Sequence, residues 1–131
     1  MIINSTIMGL QYGSITKAKT SVSSSSNIPK TLSFTVAAKP KCFALVAIID
    51  TPYTQFGLGE RAVIYDGTNV TAYAIEDISY TTTRAVVSST SRVSWSYSNG
   101  TLTITTTGKY WFGSIFNSTM YANGYTLHYW Y

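Results

Sequence analysis

The stretch SWSYSNGTLTITTT, residues 94–107, constrains the fold more than any other part of the chain. Asn99-Gly100 supplies the two positive-φ positions that a tight two-residue hairpin turn demands. With the turn placed there, Ser98 faces Thr101, Tyr97 faces Leu102, Ser96 faces Thr103 and Trp95 faces Ile104. The two arms then agree with each other. Val93, Trp95, Tyr97, Leu102 and Ile104 fall on one face, and Ser94, Ser96, Ser98, Thr101, Thr103 and Thr105 on the other, because successive strand residues point to opposite sides. The aromatic and aliphatic face is expected to be core, and the hydroxyl face to meet water or a neighbour.

Other segments share this habit. TLSFTV sets Leu32, Phe34 and Val36 against Ser33 and Thr35 and reads as a half-buried strand. KCFALVAIID is a continuous apolar run ended by Asp50 and Pro52, as expected of a central strand. RAVIYDGTNVTAYAI reads as a second hairpin around Asp66 to Asn69. A four-residue loop there puts Tyr65 opposite Val70 and Val63 opposite Ala72, whereas a two-residue turn would pair Ile64 with Asn69; the longer loop is preferred. RAVVSS, YWFGSIF and YTLHYWY complete the strands, and no window of helical length has a 3.6-residue period.

About eight short antiparallel strands separated by turn signals predict an all-β fold, a single β-sandwich or jelly-roll-like domain, with a small closed barrel as the alternative. At 131 residues the chain fits one domain. Residues 31–131 are assigned to it. Residues 1–30, with ITKAKTSVSSSSNIP, are read as an N-terminal arm or an edge strand followed by a Ser-rich loop.

The surface of such a domain must be wetted mainly by hydroxyls. Charged residues make up 11% of the chain, against roughly 25% in ordinary soluble domains, while Ser and Thr supply about a quarter. The net charge is +4, and Lys17, Lys19, Lys30, Lys39 and Lys41 all precede the first acid, Asp50. Solvated lysines guarding strand edges account for them, with contact to an acidic neighbouring subunit or to DNA as the other readings; nucleic acid is not the expected partner. Cys42, the single cysteine, excludes an internal disulfide and reads as a buried, inert thiol among Phe43, Ala44 and Leu45. MIINSTIMGL has no basic region followed by a long apolar run, so no secretory signal is expected, and no segment has the length of a membrane span. The Asn-x-Ser/Thr triplets starting at Asn4, Asn69, Asn99 and Asn117 then follow from composition alone.

Equipment for catalysis is sparse. His128 is the only histidine and lies inside a strand, which makes it a surface or inter-subunit residue rather than the base of a nucleophilic dyad. One His and one Cys do not make a zinc site, and the acids Asp50, Glu60, Asp66, Glu76 and Asp77 form no calcium-loop signature. Asp66 is explained by its Asp-Gly turn, Asp50 by strand termination and Glu60 by local pairing with a base. Glu60, Glu76 and Asp77 remain the only carboxylates for glycoside cleavage. GLGERA, residues 57–62, lacks the glycine spacing of a phosphate loop. No catalytic residue, cofactor or metal is therefore expected, and the chain is read as a non-enzyme.

Aromatic residues are the remaining carriers of function. Eleven tyrosines and three tryptophans resemble the makeup of surfaces that bind sugars or proteins. Trp95 belongs to the core. Trp111 and Trp130 sit in segments apolar on both sides, with Tyr110, Phe112, Tyr129 and Tyr131 on the alternate face, as in a strand central to a sandwich or covered by another subunit. Trp111, Tyr129, Trp130 and Tyr131 are accordingly the candidate interface or glycan-stacking residues. The ending LHYWY is expected to be docked, on its own subunit or on a partner.

The order KTLSFTVAAKPKCFALVAI, RAVIYDGT, an Asn-Gly hairpin, YWFGSIF and a closing YTLHYWY resembles the small β-rich domains of tail fibres, baseplate appendages and head decoration proteins of tailed bacteriophages, over roughly residues 14–131. The shared features are an apolar strand after Lys39-Pro40, a Tyr-Asp-Gly turn and a Tyr/Trp-rich last strand. The resemblance implies a virion component made in the bacterial cytoplasm, a homo-oligomer that assembles with other virion proteins and touches the host surface. It carries over no catalytic or binding residue. A lectin-like carbohydrate-binding module using exposed aromatics is the alternative function, and a small glycan-cleaving enzyme a third.

Overall fold

The computed structural model describes residues 6–7, 9–47, 60–77, 84–116 and 118–131, with 6–7, 76–77, 84 and 115–116 described by backbone alone. Asp50, Pro52, residues 57–59 of GLGERA, and Asn4 and Asn117 of the Asn-x-Ser/Thr triplets lie outside the described residues. So do the side chains of Glu76 and Asp77. The fold is all-β and antiparallel. Its strands are β1 (Thr6–Ile7), β2 (Leu10–Lys17), β3 (Thr20–Val22), β4 (Thr31–Thr35), β5 (Cys42–Ala47), β6 (Arg61–Tyr65), β7 (Val70–Asp77), β8 (Arg84–Ser89), β9 (Val93–Ser98), β10 (Thr101–Thr106), β11 (Gly113–Phe116), β12 (Thr119–Ala122) and β13 (Tyr125–Trp130).

Both hairpin expectations hold residue for residue. Asn99 and Gly100 take φ of 48° and 84°, the pair of positive angles that matches a tight turn to the twist of its flanking strands. β9 and β10 pair Ser98 with Thr101, Tyr97 with Leu102, Ser96 with Thr103 and Trp95 with Ile104. In the second hairpin Tyr65 opposes Val70 and Val63 opposes Ala72, the four-residue loop. Asp66 closes that loop: its Oδ1 accepts the N–H groups of Asn69 and Thr68, both at 2.8 Å. These two backbone bonds, that of Asn69 first, hold the Asp66 carboxyl below the usual aspartate range.

The strands form three sheets. One has seven strands in the order β1-β2-β13-β5-β6-β7-β8, and the others run β4-β10-β9 and β11-β12-β3. Among the described residues the large sheet is open, with β1 and β8 at its edges and no closure into a barrel. Its layout is sandwich-like. The β4-β10-β9 sheet lays Leu32, Phe34, Leu102 and Ile104 against Phe43, Leu45, Val63 and Leu127 of the large sheet, within one apolar core. Rings cross the gap. Phe34 meets Tyr125 edge-on at 5.9 Å, Phe43 meets Trp95 edge-on at 5.5 Å, and Tyr65 lies 4.7 Å from Trp95. Trp95 packs against the core, as its face in the hairpin requires.

Three departures from the sequence reading have physical causes. Thirteen strands are present among the described residues rather than about eight, because β1 and β3 are only two and three residues long and β2 (LQYGSITK) and β12 (TMYA) mix polar and apolar residues without strict alternation. YWFGSIF is a strand only from Gly113. Tyr110 ends a 3-10 turn, Gly108–Tyr110, and Tyr110 and Phe112 are both buried across the turn and its exit. The five early lysines are exposed, but at strand ends and connections rather than along edges. Lys17 Nζ sits 5.6 Å above the Phe34 ring and Lys19 Nζ 4.5 Å above that of Tyr121.

β13 is the strand that joins the chain's ends. It pairs on one side with β2, Leu127 to Ile15 and Tyr129 to Gly13, and on the other with β5, Leu127 to Leu45 and Tyr129 to Phe43. Residue 131 is tied in as well: Gln11 N–H donates to the Tyr131 carbonyl at 2.7 Å, and Tyr131 N–H returns the bond at 2.9 Å. The final segment is thus docked within its own subunit. Gly13 makes room for this arrangement. A Cβ there would fall on the Tyr129 ring, 2.6 Å from its hydroxyl oxygen, which itself accepts the Ala37 N–H at 3.2 Å. Gly13→Ala is therefore expected to destabilise the protein by about 1–3 kcal/mol, the range for overpacking a filled core. Urea denaturation of the variant beside the neighbouring, exposed Ser14→Ala checks this; equal midpoints would show that the Tyr129 ring does not depend on the glycine.

Candidate functional site

Strand alternation gives the large sheet two unlike faces. One, carrying Phe43, Leu45, Val63, Ala72, Leu127 and Tyr129, is the core. The other points away from the β4-β10-β9 layer, and register fixes its rows. One row runs Tyr12, Trp130, Cys42. The next runs Ser14, His128, Ala44, Ile64, Thr71, and a third Thr16, Thr126, Val46, Ala62, Tyr73, Ser88. Ile75 opposite Val86 extends the face toward β8.

Two properties set this face apart. Among the described residues the exposed large hydrophobics are Val46, Tyr73 and Val86, and all three lie on it. Its three rows contain no Asp, Glu, Lys or Arg; charge gathers at one border, where Glu60, whose carbonyl accepts the Ile75 N–H, continues the Ile75–Val86 row and Asp77 pairs with Arg84. Strands β5, β6 and β7 are apolar at both parities, the pattern of strands covered on two sides. An aromatic cluster occupies one end. The Tyr12 hydroxyl is 2.6 Å from His128 Nδ1, the Tyr12 and His128 rings stack at 5.9 Å, and Trp130 tilts against Tyr12 at 5.3 Å. Thr16 and Thr126 hydroxyls bond each other at 3.0 Å on the same face.

The four candidate aromatics separate. Trp130 lies on the outward face, half-buried beside Tyr12. Tyr129 points the opposite way, is buried, and serves the core, so it offers no surface for a partner or a sugar. Tyr131 stacks on Tyr129 at 5.5 Å and packs against the core. Trp111 belongs to a different region, over Gly113 and Ile28 beside β11, where a Cβ on Gly113 would collide with the indole. The structure therefore brings Trp130 together with Tyr12 and His128, not with Trp111. Tyr12, Val46, Ile64, Tyr73 and Val86 were not singled out from sequence. The signal for three of them, Val46, Ile64 and Tyr73, was present: KCFALVAI, RAVIY and VTAYAI carry apolar residues at odd and even positions alike.

Cys42 is a correction. It is half-buried rather than buried, because it shares parity with Ala44 and Val46 on the outward face while Phe43 takes the core. Burial still pushes the thiol's pKa up from its ordinary value, so the protonated form prevails at neutral pH. Burial likewise raises the Tyr125 phenol. Among the described residues no group of three or more His, Cys, Asp or Glu is placed to hold a metal ion, and no helix is long and apolar enough to cross a membrane. Arg61, buried at the edge of the core, directs Nη1 to the Glu60 carbonyl at 3.0 Å. Comparison with family models, curated proteins and solved structures found no match to this chain.

The shifted thiol makes a kinetic statement. At pH 7.5 Cys42 is expected to react with iodoacetamide more slowly than free cysteine, and to speed up as pH rises through the raised thiol range. Mass spectrometry of the alkylated protein reports this directly. A rate equal to that of free cysteine would mean that the outward face does not shield the sulfur.

Proposed function

We propose that this chain is a structural virion protein of a tailed bacteriophage, acting by homo-oligomeric assembly and attachment to other virion proteins, with contact to the host surface as part of that role. The observation that carries the reading is the neutral, largely apolar outward face of the large sheet. Contiguous exposed apolar surface on soluble proteins marks places that meet a partner, and on strands β5 to β7 exposed Val46 and Tyr73 stand among half-buried Ala44, Ala62, Ile64 and Ile75. A hydroxyl-rich exterior with few charges and the resemblance of the sequence segments to those of phage appendage domains support the same reading. In it the protein works through the shape it offers neighbours, without a reacting group of its own.

A lectin-like role has one observation in its favour. Trp130 and Tyr12 lie side by side on the outward face with the hydroxyls of Ser14, Thr16 and Thr126 nearby, rings for stacking beside groups that give direction. The virion reading is tested on particles purified by density gradient from cells carrying the gene. Quantitative mass spectrometry is expected to find the protein at a fixed ratio to the major capsid protein. Recovery only in the soluble fraction, together with quenching of Trp fluorescence by host-surface polysaccharide, would replace the virion role with the lectin one.

A further inference from the structure

We infer that two copies of this chain associate face to face through the outward faces of their large sheets, the partner being a second copy of the same chain. The inference deepens the assembly reading above and rests on it. Its first support is where the exposed apolar side chains lie. Val46, Tyr73 and Val86 are 41%, 36% and 67% exposed, and these large hydrophobics, on three different strands, all project from one face. Scattered apolar residues on a surface are ordinary, but their confinement to one face is not.

Charge decides among occupants. The chain carries +4, and the charged residues that continue the outward face, Glu60, Asp77 and Arg84, stand at the border beside Ile75 and Val86, yet from β2 to β6 the outward rows contain no charged residue. A strongly acidic or basic partner finds no counter-charge there, and an anionic lipid surface finds no Lys or Arg to hold its headgroups. A second copy brings the same neutral centre, so no charge is buried there without a partner, which would cost several kcal/mol, and exposed Glu60 stays at the rim. Two-fold pairing of identical patches is also the commonest closed symmetry for a single chain type.

Area agrees with this choice. The outward rows, with Ile75 and Val86, hold sixteen positions, each taking about 4.8 Å across the sheet and ~6.8 Å along the strands. Each copy thus offers on the order of 500 Å2, and a pair buries on the order of 1,000 Å2, the least that a specific interface needs. Side chains of moderate size along the central rows, Ala44, Ala62, Val46 and Ile64, let two twisted sheets approach to about 10 Å in aligned packing. The larger rings, Tyr12 and Trp130 at one end and Tyr73 toward the other, border that centre.

Sedimentation equilibrium of the full chain tests the pairing. Wild type is expected to have the mass of a dimer or of a higher assembly that contains the pair. Val46→Lys sets two like charges in the contact and is expected to weaken association at least tenfold, while circular dichroism and the melting temperature show a folded β protein. Val86→Lys, at the most exposed of the three sites, gives the second reading should Val46→Lys not fold. Ser96→Lys, exposed on β9 in the other layer, is expected to leave the mass unchanged. A monomeric wild type overturns the inference, whatever the particles of the preceding test contain. An oligomer that persists in folded Val46→Lys and Val86→Lys overturns this face as the contact and leaves the assembly reading standing on another surface.

Discussion

The structure depends on one strand being inserted between two others that are distant in sequence. β13 stands between β2 and β5, and without it the seven-stranded sheet would be two pieces, the β1-β2 pair and the β5-β6-β7-β8 meander. The meander needs only short-range pairing. The insertion closes loops of about eighty and a hundred residues, whose entropy must be offset by what β13 buries. Leu127 is fully buried, and Tyr129 lies flat over Gly13 with its hydroxyl on the Ala37 amide. Ring burial of this kind contributes several kcal/mol, against about 1 kcal/mol for the Tyr129–Ala37 hydrogen bond. Packing, not polar pairing, holds the strand in place.

Completing that sheet also creates the surface on which the functional reading rests. Because side chains alternate, the strands that supply Phe43, Leu45 and Val63 to the core must present Ala44, Val46 and Ile64 on the other side, and β13 adds Trp130 and His128 beside them. A single-sided sheet would have shown water Ser and Thr there, as the β9-β10 hairpin does with Ser94, Ser96 and Thr101. The contrast between the two layers is chemical. The small layer turns hydroxyls outward, and the large layer turns methyl groups and rings outward.

Much of this was legible in the residues, and the limits are informative. The two hairpins could be registered from Asn99-Gly100 and from Asp66 to Asn69, since turn chemistry and strand alternation demanded the same pairing. The all-β class followed from the period of two. The candidate site was legible only in part. Trp130 was found through its two-sided strand, but Tyr129 and Tyr131 on the opposite face were grouped with it, because alternation says which residues share a face and not which face is core. Trp111 stands apart from Trp130 because a 3-10 turn, rather than a strand, precedes Gly113. Tyr12 gave no signal in LQYGSITK, where Gly, Ser and Thr mask the strand; its importance comes from pairing with Trp130 across more than a hundred residues.

Native-state hydrogen exchange tests the central claim, that the inserted strand is bound into the cooperative core. Amides of Leu127, His128 and Tyr129 are expected to exchange as slowly as those of Leu45 and Val63, through global unfolding only, and to respond equally to denaturant. Exchange of the β13 amides at a much lower opening free energy, while β5 and β6 stay protected, would contradict it and show a meander that is stable without its final strand.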